Sequence, residues 1–400
     1  MKKQIISGTH EPFAHIIKRE KMPWWKEWGV RLCAIALSLV VCAIVIKLVI
    51  GVPPTALFSK FADGLLGRMR ADIPQNHQFW LTMGDTSILL LIALAITPAF
   101  KMRFWNIGAE GQVLIGSLAS AWMMITIGKY VNAGGVFPRW LTLVVMLVVA
   151  MIAGAIWALL PAYFKNKWNT NETLFTLMMN YIAIQLTAYC CTEFWSKKNT
   201  SNNVGVINSE GKAMGYGWLP TPLKESFPKV SEWLIIIAVA VVFSLLIHIY
   251  LKYSKQGYEL SVVGESENTA RYVGINVPKV VLRTMIISGA LCGLVGFLLV
   301  SGDQHSISTT IVDGRGFTAI MVSWISKFNP FAMAAVAFMF VFLEHGAAQI
   351  ASVPLPNGQR LSGAEEFSSI LTAIIIFFII GCEFFINYKV VFRKFSKKGE

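Results

Sequence analysis

A chain of 400 residues that is 55% hydrophobic and only 14% charged is not a soluble globular protein, whose charged share sits near a quarter. The net charge of +13 is read as Lys and Arg gathered in membrane-flanking loops, which sets aside nucleic acid as a partner and makes membrane lipid the surroundings. Six Cys in no CxxC or Cys/His spacing point to no metal, and no cofactor is expected.

In chain order, residues 1–28 form a basic cytoplasmic segment, with no cleavage site before the first apolar block. Ten candidate spans follow, at 29–51, 82–100, 110–129, 139–162, 171–191, 232–252, 280–301, 313–328, 330–350 and 367–388. A crossing needs about 20 apolar residues, and Trp140 to Ala162 supplies them with no charge inside. Residues 29–388 therefore make one transmembrane domain, followed by a basic tail at 389–400. With the N-terminus inside, Lys18, Arg19, Lys101, Arg103, Lys165, Lys167, Lys255, Arg271, Lys279 and the tail lysines all fall in the cytoplasm, as the positive-inside rule asks. Both termini are then cytoplasmic, 192–231 is an external loop and 253–279 a cytoplasmic one.

The expected fold is an all-α integral membrane protein of about ten transmembrane helices, two of them broken. Near Ser87 to Ala99 only about 13 apolar residues run together, short of a full crossing, with Asp85 before them and Pro98 near the end. Phe317 to Ile325 is short too and follows Gly314-Arg315-Gly316. Interrupted segments in corresponding places of two halves mark a translocation site. Their offset fits an inverted repeat of spans 2–5 and 7–10.

The polar residues at membrane depth are the candidate site. Phe104-Trp105-Asn106-Ile107-Gly108-Ala109-Glu110-Gly111-Gln112 places Asn106, Glu110 and Gln112 in a Gly-rich stretch. Backbone that leaves the helix inside a membrane must line a cavity or be buried in protein. Glu110 and Gln112 either cap the following helix or face a pathway. Asn171-Glu172 opens span five, and Asn180, an amide in an apolar run, needs a partner from another helix or the pore. Glu344 and His345 interrupt span nine, as functional groups or as interfacial ones. In the 253–279 loop, Ser266 with Thr269 and Ala270 opens a short helix and Gly274 closes it, which suits either a docking element or a solvated connector.

Together these segments resemble the permease family of simple-sugar, branched-chain amino acid and nucleoside ABC importers, most closely its nucleoside branch. Phe104 to Gln112 is similar to the family's FNIGAEGQ signature, with Trp105 as an insertion-like variation. Asn171-Glu172 through Asn180-Tyr181-Ile182-Ala183 is similar to NExxxTxxxNYIA. Gly264 to Ile275 resembles the coupling segment GxNxxAARYxGI, and Gly316-Phe317 with Asn329-Pro330 resembles GxGFxGIxVAxLGxxNP. The likeness runs from about residue 82 to 388; Val322-Ser323-Trp324-Ile325-Ser326 departs from it, as does the 192–231 loop.

The resemblance implies a subunit that is not itself an enzyme. Asn106, Glu110, Gln112, Asn180, Phe317 and Trp324 would then line the pathway, while Gly264, Glu265, Asn268, Ala270, Arg271, Tyr272 and Gly274 would engage the ATPase. The implied partners are an ABC ATPase subunit, a second permease subunit in a homo- or heterodimer, and an extracellular solute-binding lipoprotein. The implied cargo is a nucleoside, with a simple sugar or flavin-like vitamin as alternatives. No GxxxxGK[ST] loop binds ATP here. The rival reading, an ion-coupled secondary transporter, calls for paired intramembrane carboxylates, and Asp85, Glu110 and Glu344 are not paired by spacing.

Overall fold

A computed structural model describes residues 14–19, 22–49, 77–195, 204–221, 231–351 and 364–392. The basic residues expected inside at 2–3 and 393–398, and residues 196–203 and 222–230 of the 192–231 loop, lie outside the described residues. The chain divides into two units, residues 1–64 with 343–400 and residues 65–342.

In the first unit, α1 (Trp24–Val49) packs against α12 (Ala364–Asn387). Arg31 Nε donates to Glu383 Oε1 at 2.8 Å, an ion pair that turns both charges inward between the two helices. Beside them β1 (Ala14–Lys18) pairs antiparallel with β2 (Tyr388–Phe392), Ile16 opposite Val390. Among the described residues this ribbon is an addition to the all-α expectation, and it brings residues 14–18 and 388–392 together. Its His15-Ile16-Ile17 and Val390-Val391-Phe392 stretches are β-formers hidden in segments whose lysines read as tails.

The second unit is a helical body. Its elements are α2 (His77–Lys101), α3 (Ala109–Asn132), α4 (Arg139–Trp168), α5 (Glu172–Tyr189), α6 (Ser231–Tyr253), α7 (Lys255–Glu265), α8 (Glu267–Tyr272), α9 (Val277–Leu298) and α10 (Arg315–Ile325). The chain then enters α11 (Pro330–Ala351). Among the described residues of the whole chain, nine helices are long and apolar enough to cross a membrane. The tenth expected span, 313–328, is the eleven-residue α10, which at 1.5 Å per residue covers roughly 16 Å, half of a hydrocarbon core.

One expectation changes here. The stretch around Ser87–Ala99 is not interrupted: α2 runs unbroken through it, and Pro98 sits in the last turn. Polar Asp85 and Thr86 shorten the apolar run without breaking the helix. The irregular backbone comes after α2, at residues 102–108.

Helices α2, α3 and α9 form the buried centre, and α4 packs on α3 and α9. On α4, Val144, Val148, Ile152, Ile156 and Leu160 recur every four residues and are exposed, while Met146, Ala150, Gly154, Ala158 and Ala162 recur the same way and are buried. The outer stripe is what lipid accepts, and the inner one lets backbones approach. On α9, Gly289 lies against Gly154 and Ala158, and Gly293 against Ala150 and Gly116 of α3; a side chain there would strike backbone. Helix association without a hydrophobic drive depends on such close packing.

Candidate functional site

Two places gather the residues singled out by sequence. The first is the junction of 102–112 with α5, α9 and α10. After α2 the chain turns at Arg103 (φ 60°) and reaches Asn106 without helical bonding. Asn106 Oδ1 accepts from Gly108 N at 3.1 Å, a local Asx turn, and from Gln112 Nε2 at 3.0 Å. Asn106 Nδ2 donates to Ser288 Oγ at 3.4 Å. Ser288 is eleven residues into α9, so the turn sits roughly 16 Å along that helix at 1.5 Å per residue, well inside the membrane.

Asn180 closes the same turn from α5. Its Oδ1 accepts from Gly111 N at 2.9 Å and its Nδ2 donates to Ile107 O at 3.0 Å. Thr176, one turn earlier, accepts from Ile107 N at 3.2 Å. Asn171 Oδ1 accepts from Thr173 N and Leu174 N, starting α5 so that both groups face the turn.

Glu110 does not cap its own helix. Oε1 accepts from Gly314 N at 2.9 Å and Oε2 from Gly316 N at 2.8 Å, so the carboxylate caps α10 across the fold. A helix N-terminus offers orphan N–H groups and the positive end of its dipole, and a carboxylate answers both. Gly316 is required by this approach, since a Cβ there would meet Glu110 Oε2. Beside the cap, Arg315 pairs with Asp85 of α2 at 2.8 Å.

Expected in the pathway, Asn106, Gln112 and Asn180 line no open space: they are 0%, 1% and 2% exposed, with their amides committed to backbone and to each other. Phe317 and Trp324 differ. α10 lays Gly316, Ala319, Val322 and Ser323 against the fold, with Ser323 Oγ 3.0 Å from Thr97 Oγ1 of α2. Phe317 and Trp324, seven residues apart, share its outward face and are half-exposed. Trp324 stacks on Trp105 at 5.3 Å between ring centroids and 20° between planes. The two Trp residues that mark departures from the expected pattern are therefore partners, which spacing alone does not reveal. Glu344 and His345 lie on α11 in the other unit.

The second place is 264–275. Ser254 Oγ accepts from Gly257 N and starts α7; Ser266 Oγ accepts from Thr269 N at 3.3 Å and starts α8. Gly274 (φ 82°) closes α8, with Ile275 N bonded to Ala270 O at 2.9 Å. Buried Gly264 rests on the Lys101 carbonyl and buried Ala270 faces inward. Glu265, Asn268, Arg271 and Tyr272 are exposed, Tyr272 by 93%. Glu259 of α7 is tied to Arg283 of α9 at 2.9 Å, linking this segment to the buried centre. A cavity of about 390 Å³ opens beside α8, lined among others by Arg103, Lys165, Glu172, Glu267 and Arg271.

Residues 80–380 match the family described as "Branched-chain amino acid transport system / permease component". The chain is 26% identical over 388 residues to the glucose ABC transporter permease protein TsgB13 of Haloferax volcanii, covering 95% of this chain and 94% of the relative. It is 27% identical over 373 residues to the guanosine ABC transporter permease protein NupP of Bacillus subtilis, covering 92% and 97%. A second guanosine ABC transporter permease protein of that organism, NupQ, is 27% identical over 256 residues, covering 64% of this chain and 77% of the relative.

Proposed function

We propose a nucleoside as the cargo of this chain, which belongs to the family of permease components of branched-chain amino acid transport systems. It is a multi-pass permease of an ABC importer, and ATP hydrolysis resides in a separate subunit. The pathway is assigned to the outward face of α10.

The observation that carries this assignment is the half-length α10 itself. Its flanks at Asp313-Gly314 and Lys327-Phe328 have positive φ, and its outer face bears Phe317 and Trp324. Irregular backbone at membrane depth is tolerated only against protein or a water-filled cavity, not lipid. That face therefore belongs to a pathway, or to a pathway shared with a second permease subunit. Asn106, Glu110, Gln112 and Asn180 are assigned to holding α10 in place. The exposed residues of 264–274 are assigned to docking the ATPase, whose closure would reach α9 through Glu259–Arg283.

A nucleoside is favoured by the aromatic outer face and by the guanosine permeases among the relatives. Two guanosine permeases of one organism both match this chain, which supports a heterodimer. The glucose permease relative keeps a sugar in view. An external binding lipoprotein would deliver the solute. The ion-coupled alternative lacks support from the carboxylates: Asp85 is paired with Arg315, and the Glu110 oxygens are held by two backbone N–H groups.

The test is uptake into proteoliposomes holding both permeases, the ATPase and the binding lipoprotein. Radiolabelled guanosine should accumulate only with ATP, and glucose and riboflavin should not. Uptake driven by an ion gradient without ATP would sink the importer reading, and glucose-only uptake would sink the nucleoside.

A further inference from the structure

The end of the helical body away from α8 carries a second cavity, of about 590 Å³. Helix α4 fixes its position: Arg139, Trp140 and Leu143 line this cavity, whereas Lys165 and Asn166 line the one beside α8. From residue 140 to 166 a helix rises roughly 39 Å, more than a hydrocarbon core. With α8 cytoplasmic, the second cavity is external.

Its walls are aromatic and held by the fold. Trp218 and His305 stack with centroids 4.3 Å apart and planes 7° apart. Trp218 Nε1 donates to Ile207 O at 3.0 Å, Ile207 N to His305 O at 2.8 Å, and Leu219 N to Ser301 O at 2.8 Å. Trp140 lines it from α4, 67% exposed, and Trp233 of α6 packs on Gly84 of α2.

The polar lining is sparse. Trp233 is only 5% exposed, yet its Nε1–H has no acceptor among the described residues. Buried donors of this kind are rarely left so. The Asp303 carboxylate contributes acceptors and Thr221 a hydroxyl. Arg139 lines one side, its guanidinium 3.3 Å from Met214 O and over the Tyr216 ring. Asp303 also lies in the electrostatic field of Asp85 and Arg315, the pair at the start of α10. The cavity's size and its mixture of apolar wall with few polar groups are those of a small-molecule site.

We infer that this cavity receives the solute from outside and selects an uncharged molecule carrying a planar heteroaromatic ring and neighbouring hydroxyls. The ring stacks on the Trp218–His305 and Trp140 faces, Trp233 Nε1–H donates to it, and Asp303 accepts from the hydroxyls. The inference rests on the cargo reading above and adds a place and a chemistry to it. A sugar would meet the aromatic walls only through its C–H faces, with no planar heteroaromatic ring to stack on them. A lipid headgroup is the rival occupant, since exposed Trp also gathers at membrane interfaces.

The test is protection from a membrane-impermeant maleimide added outside vesicles that hold the assembled transporter. Leu143→Cys and Pro220→Cys proteins, at lining positions with no assigned contact to the solute, are labelled, the second guarding against misfolding of the first, with the parent protein as background. Guanosine should slow labelling at both positions at least threefold, and glucose should not. The inference is overturned by labelling that guanosine leaves unchanged while the parent transporter carries guanosine on ATP. Equal protection by glucose, or protection that follows anionic lipid content alone, overturns it as well. A parent that carries no guanosine on ATP defeats the cargo reading on which it rests.

Discussion

The junction around 106–112 and the segment 264–274 are equally polar in sequence and opposite in structure. At the junction, Asn106, Gln112 and Asn180 are enclosed, and their amides bond to backbone and to each other. Glu110 does the same for the first turn of α10. In 264–274 only Gly264 and Ala270 turn inward, while Glu265, Asn268, Arg271 and Tyr272 point into solvent. A polar group at membrane depth must find a partner at once, and the nearest is irregular backbone. A polar group at the aqueous face is under no such demand and can stay exposed. The first region should answer mutation with stability, the second with coupling.

The largest effect is expected at Glu110. Glu110→Ala orphans the N–H groups of Gly314 and Gly316 at the buried start of α10, at roughly 1–3 kcal/mol for each. The melting temperature of the permease in detergent should fall by many degrees and assembly with it, whereas Glu110→Gln, which keeps one acceptor, should lie between. A stable Glu110→Ala protein that has lost only transport would return Glu110 to the pathway. Asn180→Leu comes next. It strands Gly111 N and Ile107 O, about 2–4 kcal/mol in all, so stability and uptake should decline together. Uptake lost at unchanged melting temperature would mean that Asn180 faces the solute. Gly293→Val, which drives a branched side chain into the Ala150 backbone, should cost about 1–3 kcal/mol through packing alone.

The sequence made the helices legible because length and hydropathy are local properties. It also made α8 legible, since Ser266 and Gly274 are start and stop signals within ten residues. What it hid is non-local. Asp85 and Arg315 are separated by 230 positions and Glu110 and Gly316 by 206, so no spacing argument pairs them. The Trp105–Trp324 stack is hidden for the same reason. Apolar run length does not report helix length in α2, because Asp85 is carried inside that helix by Arg315, a partner 230 positions away in sequence but one contact away in space.

The smallest stability effect and the sharpest functional one should coincide in Glu265→Ala with Arg271→Ala. Both side chains are exposed, and the ion pair of Arg271 with Glu267 is 3.8 Å long and largely solvated. Exposed pairs of this kind contribute roughly 0.5 kcal/mol or less, so the melting temperature should stay within a degree or two. Helix α8 itself should persist, because Ser266, Ala270 and Gly274 are untouched. If the segment grips the ATPase, hydrolysis by the assembled complex should lose its stimulation by delivered solute, and uptake should drop at least tenfold. Tyr272→Ala should act in the same direction, since a tyrosine 93% exposed contributes little to its own fold. Full solute-stimulated hydrolysis in the double variant would make 264–274 a solvated connector. The contrast between the two regions would then rest on burial alone.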